Sequence, residues 1–171
     1  MSEVVSVGVA ELKVSDNSLV LASFGLGSCV AVTMFDSLKR IGGLAHVMLP
    51  ESRGKESESA PGKFADAAVE RLLAEMVKMG ARSNGVKCKI VGGAQMFEVP
   101  GSHKLDKFAK PPESASHIGA RNVGAVKSEL ARLKIPLVGE DTGGNYGRTV
   151  RFNTSNGEVE VTSIYHGRTV L

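Results

Sequence analysis

The stretch CVAVTMFDSLKRIGGLAHVM, residues 29–48, contains two apolar runs separated by a polar segment. The runs Cys29–Phe35 and Ile41–Met48 have the length and the partly β-branched composition of strands. The polar segment between them is short enough to close a tight connection between antiparallel neighbours. The stretch therefore predicts a β-hairpin.

The register of this hairpin determines which side chains meet. Pairing Phe35 with Arg40 leaves residues 36–39 as a four-residue loop, a common length, and sets Cys29 directly opposite His46. Directly opposed residues share one face of a sheet, with Cβ atoms about 4.5–5.5 Å apart. If this register holds, an imidazole nitrogen can reach the thiol sulfur.

A cysteine beside a histidine is typical of thiol hydrolases. An imidazolium at His46 would lower the pKa of the Cys29 thiol and favour the nucleophilic thiolate. The preceding GLGS run permits a tight turn, whose backbone at Gly27 and Ser28 could hold an oxyanion. A third group usually orients the histidine, and the Ser23 hydroxyl is a candidate. Spacing alone still favours a structural interpretation, because most strand cysteines and histidines are core residues.

Other apolar runs predict two helices and seven further strands. A four-residue apolar repeat predicts a helix from about Phe64 to Gly80, where glycine suits the C′ position. A second helix is predicted from about Ala120 to Leu133. The further strands are Val4–Val9, Leu19–Ser23, Lys87–Gly92, Pro136–Glu140, Thr149–Phe152, Val159–Ile164 and Arg168–Leu171. The last three form a predicted antiparallel meander with an Asn-Gly turn at 156–157.

The order of these elements predicts the fold class. Two consecutive strand–helix–strand units imply right-handed crossovers. With the flanking antiparallel strands, we expect an α+β fold: a layered mixed β-sheet with two strand–helix–strand units and helices on one side. The length of 171 residues suits a single domain over residues 1–171. Two polar segments, Glu51–Lys63 and Val99–His117, are predicted to be loops.

Composition argues against nucleic-acid binding, membrane insertion and an oxidising compartment. Lys and Arg number 21 against 18 Asp and Glu, and aromatic residues are 5% with no Trp. A nucleic-acid binder more often has a concentrated basic face with stacking rings, so we expect no nucleic-acid partner. The sequence has neither a signal-peptide pattern nor an apolar run of ~18 residues, so no membrane insertion is expected. Two cysteines without a CxxC pair suggest a reduced, cytoplasmic compartment.

Three other motifs invite interpretations that their context does not support. Gly25-Leu26-Gly27 lacks the third glycine of a dinucleotide-binding loop, because position 30 is valine. One Asp141-Thr142-Gly143 would need a second copy to form an aspartic protease dyad. The histidines at 103, 117 and 166 have no short ligand spacing with either cysteine, so we expect no metal and no cofactor.

Six short blocks follow one another along the chain. They are GLGSC at 25–29, AHVMLP at 45–50, PGKFAD at 61–66, GGAQMF at 92–97, IGARN at 118–122 and EDTGGN at 140–145. Together they resemble the CheD family of chemoreceptor glutamine deamidases. One block would be a weak signal, but six in order across most of the chain are highly specific.

The resemblance implies a fold like that of deamidating bacterial toxins with cysteine hydrolase chemistry. The family's catalytic cysteine falls on Cys29 and its histidine on His46. The third residue, a threonine in the family's TLGLGSC pattern, falls on Ser23, which keeps the hydroxyl but lacks the methyl that restricts its rotamer. The family's loop between GGAQMF and IGARN is shorter than the corresponding segment here.

The implied activity is that of a protein-glutamine glutaminase. Receptor glutamines would be hydrolysed to glutamate through a cysteine thioester, and glutamyl methyl esters can follow the same steps. The implied partners are the cytoplasmic helices of chemotaxis receptors and a CheC-type phosphatase. The alternative is a regulatory binding module without chemistry, which would need neither Cys29 nor His46.

Overall fold

The computed structural model describes residues 2–55, 58–96 and 117–171. Within these ranges the chain forms ten strands and two helices. The strands are β1 (Glu3–Ser6), β2 (Leu12–Ser15), β3 (Leu19–Leu26), β4 (Val30–Asp36), β5 (Ile41–Val47), β6 (Val86–Gly92), β7 (Leu137–Thr142), β8 (Arg148–Asn153), β9 (Val159–Ser163) and β10 (Gly167–Val170). The helices are α1 (Ala65–Met79) and α2 (Ile118–Arg132). Neither of these helices is long and apolar enough to cross a membrane.

The strands form two five-stranded sheets. The first has the order β1-β3-β8-β9-β10, with β1 parallel to β3 and the other neighbours antiparallel. The second has the order β2-β5-β4-β6-β7, with β6 parallel to β7 and the other neighbours antiparallel. The units β5–α1–β6 and β6–α2–β7 are the two predicted strand–helix–strand units. The α+β prediction is confirmed.

Side-chain alternation along β4 separates two cores. Val30, Val32 and Met34 pack with both helices, whereas Ala31 and Phe35 face the core that also contains side chains of the first sheet. Successive residues of a strand point to opposite faces, so side chains of β4 contribute to both cores. The layers are therefore the first sheet, the second sheet and the helices.

The helices follow their predicted apolar faces. In α1 the buried side chains include Ala68, Leu72 and Met76, and the helix ends at Gly80 with a φ of 114°. Glycine adopts this left-handed conformation without the cost that a Cβ brings. Helix α2 starts two residues before its predicted position and buries Val126 and Leu130.

The predicted hairpin register is wrong by two residues. Asp36 pairs with Ile41, so residues 37–40 form the four-residue loop. The carboxylate of Asp36 accepts hydrogen bonds from the N–H groups of Leu38 and Lys39, at 3.1 and 3.3 Å. Arg40 closes the loop with a φ of 53°. These local contacts extend β4 by one residue and fix the turn after it.

The remaining predictions are met to different degrees. The antiparallel meander is confirmed in β8, β9 and β10, and Gly157, with a φ of 81°, lies in the connection between the first two. Strand β2 was not predicted, because its four residues give too short a pattern. Residues 51–55 and 58–63 contain neither helix nor strand. The predicted loop Val99–His117 lies outside the described residues except for His117.

Candidate active site

Cys29 lies in a tight connection between β3 and β4 whose carbonyl groups are all bound by the protein. The carbonyl of Gly27 accepts from Ala94 N–H at 2.9 Å, and that of Cys29 accepts from Gly93 N–H at 2.8 Å. The carbonyl of Ser28 accepts from Asn122 Nδ2 at 3.0 Å. The segment after β6 and the start of α2 thus hold the three successive peptides around the cysteine.

The N–H groups of Ser28 and Cys29 differ from these carbonyls in their surroundings. No described residue accepts a hydrogen bond from the N–H of Ser28 or Cys29. In a trans peptide the N–H points away from the carbonyl of the same unit, and no cis peptide occurs in the described chain. Because the Gly27 and Ser28 carbonyls face the protein interior, these N–H groups face the other way. Free N–H groups beside a nucleophile are what an oxyanion site requires.

His46 lies in β5, is 3% exposed and pairs with Ala31 of β4. Ala31 belongs to the core between the two sheets, and Cys29 packs against the same core. Paired residues share a face, and so do residues two apart on one strand. His46 and Cys29 are therefore diagonal neighbours on the inter-sheet face. The two-residue correction to the register keeps them on one face, whereas a one-residue shift would have separated them.

The carbonyl oxygen of Val7 binds both His46 and Ser23. Ser23 Oγ donates to this oxygen at 2.8 Å, and His46 Nδ1 lies 3.3 Å from it. A carbonyl oxygen only accepts, so Nδ1 carries the proton and Nε2 keeps its lone pair. No hydrogen bond joins Ser23 directly to His46 among the described residues. Ser23 and His46 therefore share the Val7 carbonyl oxygen as a common partner.

Burial favours the neutral forms of both Cys29 and His46. It lowers the pKa of the His46 imidazole, and the hydrogen bond to Val7 and the charge of Glu11 oppose it more weakly. Burial also raises the pKa of the Cys29 thiol. Both shifts disfavour the charged forms, so a neutral thiol stands near a neutral imidazole. The sequence led us to expect a thiolate beside an imidazolium instead.

The sequence identified the three side chains that the fold brings to this region, Ser23, Cys29 and His46. It missed the Val7 carbonyl, because a backbone acceptor leaves no mark in the sequence. It also assigned no role to Asn122, the last residue of the IGARN block. The asparagine in fact donates to the carbonyls of Ser28 and Met48, both at 3.0 Å.

Other cysteine, aspartate and histidine residues that the sequence singled out make contacts that stabilise the fold. Cys88 is fully buried in β6, and burial raises the pKa of its thiol. Asp141 forms an ion pair with Arg148 at 3.1 Å. The ring of His166 stacks on Tyr146, with centroids 3.8 Å apart. His103 lies outside the described residues, and within them no three His, Cys, Asp or Glu side chains group as metal ligands would.

A family model and two curated relatives identify the family of this chain. The family model described as CheD chemotactic sensory transduction matches residues 48–163. A protein of Desulfitobacterium hafniense (strain DSM 10664 / DCB-2), named probable chemoreceptor glutamine deamidase CheD, is 41% identical over 171 residues, 100% of both chains. A Clostridium botulinum (strain Hall / ATCC 3502 / NCTC 13319 / Type A) protein of the same name is 44% identical over 160 residues, covering 94% of this chain and 93% of its own. The chain belongs to the CheD family.

The CheD relationship extends to the segment that holds the candidate site. Cys29 and His46 precede the residues matched by the family model, but the alignment with the Desulfitobacterium relative covers the whole chain. A crystal structure of the Bacillus licheniformis hypothetical protein YfiH has a TM-score of 0.42 at 16% identity, covering 76% of this chain and 49% of that one. That likeness is too weak to support an argument.

Proposed function

We propose that this chain hydrolyses the side-chain amide of specific glutamines in chemotaxis receptors to glutamate, with Cys29 as nucleophile and His46 as its base. Its CheD relatives, 41% and 44% identical, are named probable chemoreceptor glutamine deamidases. The observation that supports the proposal best is the shared inter-sheet face of Cys29 and His46, with His46 Nδ1 bound to the Val7 carbonyl. That arrangement leaves Nε2 free to accept a proton.

The first half of the reaction forms a thioester. The Cys29 thiol transfers its proton to His46 Nε2 as the sulfur attacks the carboxamide carbon. The N–H groups of Ser28 and Cys29 stabilise the oxyanion of the tetrahedral intermediate. The protonated His46 then gives its proton to the departing ammonia, and the carbon–nitrogen bond breaks.

The second half releases glutamate. His46 accepts a proton from water, whose oxygen attacks the thioester carbon. The carbon–sulfur bond then breaks, and the protonated His46 returns the proton to the sulfur to restore the Cys29 thiol. A glutamyl methyl ester follows the same steps, because only the leaving group differs. Ser23 takes part as a positioning residue, since its hydroxyl binds the carbonyl that orients His46.

Exposed apolar side chains adjoin the site. Met48, which directly follows β5 and shares Asn122 as hydrogen-bond donor with Ser28, is 39% exposed. Met96 is 43% exposed and packs over Gly27, where an added Cβ would lie 2.9 Å from its Cγ. Exposed apolar groups around a polar centre are typical of a docking surface. A glutamine on a receptor helix could be held there while its carboxamide reaches Cys29.

The remaining parts of the proposal follow from the family. We propose that residues 1–171 act as one deamidase domain in the cytoplasm, where the signalling helices of receptors are reached. A CheC-type phosphatase is the proposed second partner. The reaction as written uses no metal and no cofactor.

The alternative, a binding module without chemistry, predicts an ordinary thiol. Iodoacetamide labelling distinguishes the two, with Cys88 as an internal control because it is fully buried. A deamidase should be alkylated at Cys29 well before Cys88, and His46→Gln should slow Cys29 labelling by ~10-fold or more, because the base is lost. Equal labelling rates with and without His46 would support the binding module.

A further inference from the structure

Asn122, in the first half of α2, is fully buried, and its side chain contacts the residues just before β4 and just after β5. Its Nδ2 donates to the carbonyl of Ser28, directly before the nucleophile, and to the carbonyl of Met48, two residues after His46. Both contacts are 3.0 Å long. One side-chain amide thus connects the cysteine segment to the histidine strand.

The orientation of this amide follows from its neighbours. Both are carbonyl oxygens, which only accept, so the nitrogen of Asn122 must face them. Its Oδ1 is buried without a hydrogen-bond partner among the described residues. Leaving a buried acceptor unpaired is unfavourable, and native structures rarely do so without a reason. The side chain of Asn122 is therefore oriented to donate the two hydrogen bonds from Nδ2, although this leaves its Oδ1 without a donor among the described residues.

These bonds bear on the peptide between Ser28 and Cys29. The neighbouring carbonyls of Gly27 and Cys29 are held by backbone N–H groups, so Ser28 has the one carbonyl of the three that a side chain holds. In a trans peptide, fixing the Ser28 carbonyl toward α2 fixes the Cys29 N–H in the opposite direction. This N–H belongs to the same residue as the proposed nucleophilic sulfur.

We infer that Asn122 is a positioning residue for the oxyanion site: it holds the Ser28–Cys29 peptide so that the Cys29 N–H meets the developing negative charge. The inference rests on the proposed function, because it concerns the tetrahedral intermediate of that reaction. Preorganised donors stabilise the transition state more than the bound substrate. Losing Asn122 should therefore lower kcat and leave KM nearly unchanged.

The test compares Asn122→Leu and Asn122→Ala with wild type in deamidation of a receptor cytoplasmic fragment. Removing one oxyanion donor costs about 10²–10³ in kcat, and Asn122 acts indirectly, so we expect a loss of ~10–100-fold. Val126→Ala is the matched control. Val126 is buried one turn after Asn122 in α2 and packs in the core between the second sheet and the helices. Its kcat should stay near the wild-type value.

Iodoacetamide labelling of Cys29 separates positioning from collapse of the site. Alkylation forms no oxyanion, so the Asn122 variants should be labelled at the wild-type rate while their kcat falls. A wild-type kcat in Asn122→Leu, or an equal loss of kcat and labelling rate in both variants, would overturn the inference. Absence of deamidation by the wild-type chain would instead count against the proposed function.

Discussion

His46 is a buried residue whose two ring nitrogens have different tasks. Nδ1 is committed to the Val7 carbonyl, at 3.3 Å, and the same oxygen accepts the Ser23 hydroxyl at 2.8 Å. The backbone of His46 is fixed as well, since its N–H donates to the backbone carbonyl of Glu11 at 2.9 Å and its carbonyl accepts from the backbone N–H of Ala10 at 3.0 Å. With the ring and the main chain both held, Nε2 is the ring nitrogen available for the proposed proton transfer.

The pH dependence of the reaction should report this environment. His46 must be neutral to accept the thiol proton, so activity is lost as pH falls through the pKa of its imidazole. Burial lowers that pKa, and Glu11 partly opposes the shift. The acid limb of kcat/KM should therefore lie below the ordinary histidine value and move to still lower pH in Glu11→Gln. An acid limb above the ordinary histidine value, or one that rises in Glu11→Gln, would contradict this picture.

Residue chemistry explains which parts of the site the sequence could predict. Cys29 and His46 were identifiable because a cysteine and a histidine in neighbouring apolar runs form a pattern typical of thiol hydrolases. The Val7 carbonyl was not identifiable, because every residue type supplies the same backbone oxygen at position 7. Asn122 was visible as a polar residue in an otherwise amphipathic helix, but its partners depend on tertiary packing.

At the scale of elements, the close approach of β4 to β6 supports the cysteine segment. Gly92 ends β6 with a φ of 115°, and a Cβ at this position would collide with the carbonyl oxygen of Cys29. Gly93 follows with a φ of 66° and donates its N–H to that carbonyl at 2.8 Å. Glycine at position 92 permits both the backbone conformation and the approach.

Gly92→Ala should therefore displace the Cys29 peptide and lower kcat by ~10-fold or more, because small errors in position are costly in catalysis. Kinetics on a receptor fragment measure the loss. Gly124→Ala is the matched control: Gly124 lies in α2 with no atom within 4 Å of an added Cβ. It should keep full activity and gain up to about 1 kcal/mol in stability from helix propensity. Equal activities of the two variants would refute the argument.

The hairpin shows how far strand patterns go. They predicted β4 and β5, their pairing and the face shared by Cys29 and His46. They missed the register by two residues, because two four-residue loops were equally acceptable by length. The observed register is stabilised by the Asp36 carboxylate, which accepts hydrogen bonds from two N–H groups of the turn, at 3.1 and 3.3 Å. Such side-chain contacts with a turn are hard to weigh without coordinates.

At the scale of the whole molecule, Asp36 connects the hairpin to the segment after α1. Its carboxylate, with a fully buried side chain, accepts from the backbone N–H of Arg82 at 2.8 Å and from the guanidinium at 2.8 and 3.1 Å. These bonds hold the pKa of the Asp36 carboxyl well below its usual range. The ion pair thus joins the second sheet to the helix layer.

Asp36→Asn should lower the free energy of unfolding by about 1.5–3 kcal/mol at neutral pH, because a buried carboxylate that accepts charge-assisted hydrogen bonds from Arg82 is replaced by a neutral amide. A carboxyl whose pKa is lowered by folding stabilises the protein above its unfolded pKa, and this contribution is lost as pH falls toward the folded value. The difference between wild type and variant should therefore shrink in acid. Urea denaturation at neutral and acidic pH measures it.

Glu140→Gln is the control for that comparison. Glu140 pairs with Lys127, and their side chains are 39% and 44% exposed. An exposed pair contributes at most about 1 kcal/mol. If Asp36→Asn proves no more destabilising than this control, the hairpin is held by other contacts.

The division into two sheets is the global feature that sequence patterns did not reveal. Alternation predicted strands correctly in both sheets, but the pattern of β3 does not state that it pairs with β1 and β8. Those pairings are set by packing between the sheets, where Leu21, Val150 and Phe152 meet Ala31 and Leu44. The two strand–helix–strand units were predictable because their order in the chain restricts the topology.

The central claim, that Cys29 converts receptor glutamine to glutamate, is tested most directly by peptide mass spectrometry of a receptor cytoplasmic fragment. The fragment is incubated with wild type, with Cys29→Ala and with Cys88→Ala, which removes the other, buried cysteine. We predict glutamate at specific glutamine positions with wild type and Cys88→Ala, and unmodified glutamine with Cys29→Ala. Conversion by Cys29→Ala at the wild-type rate would contradict the claim.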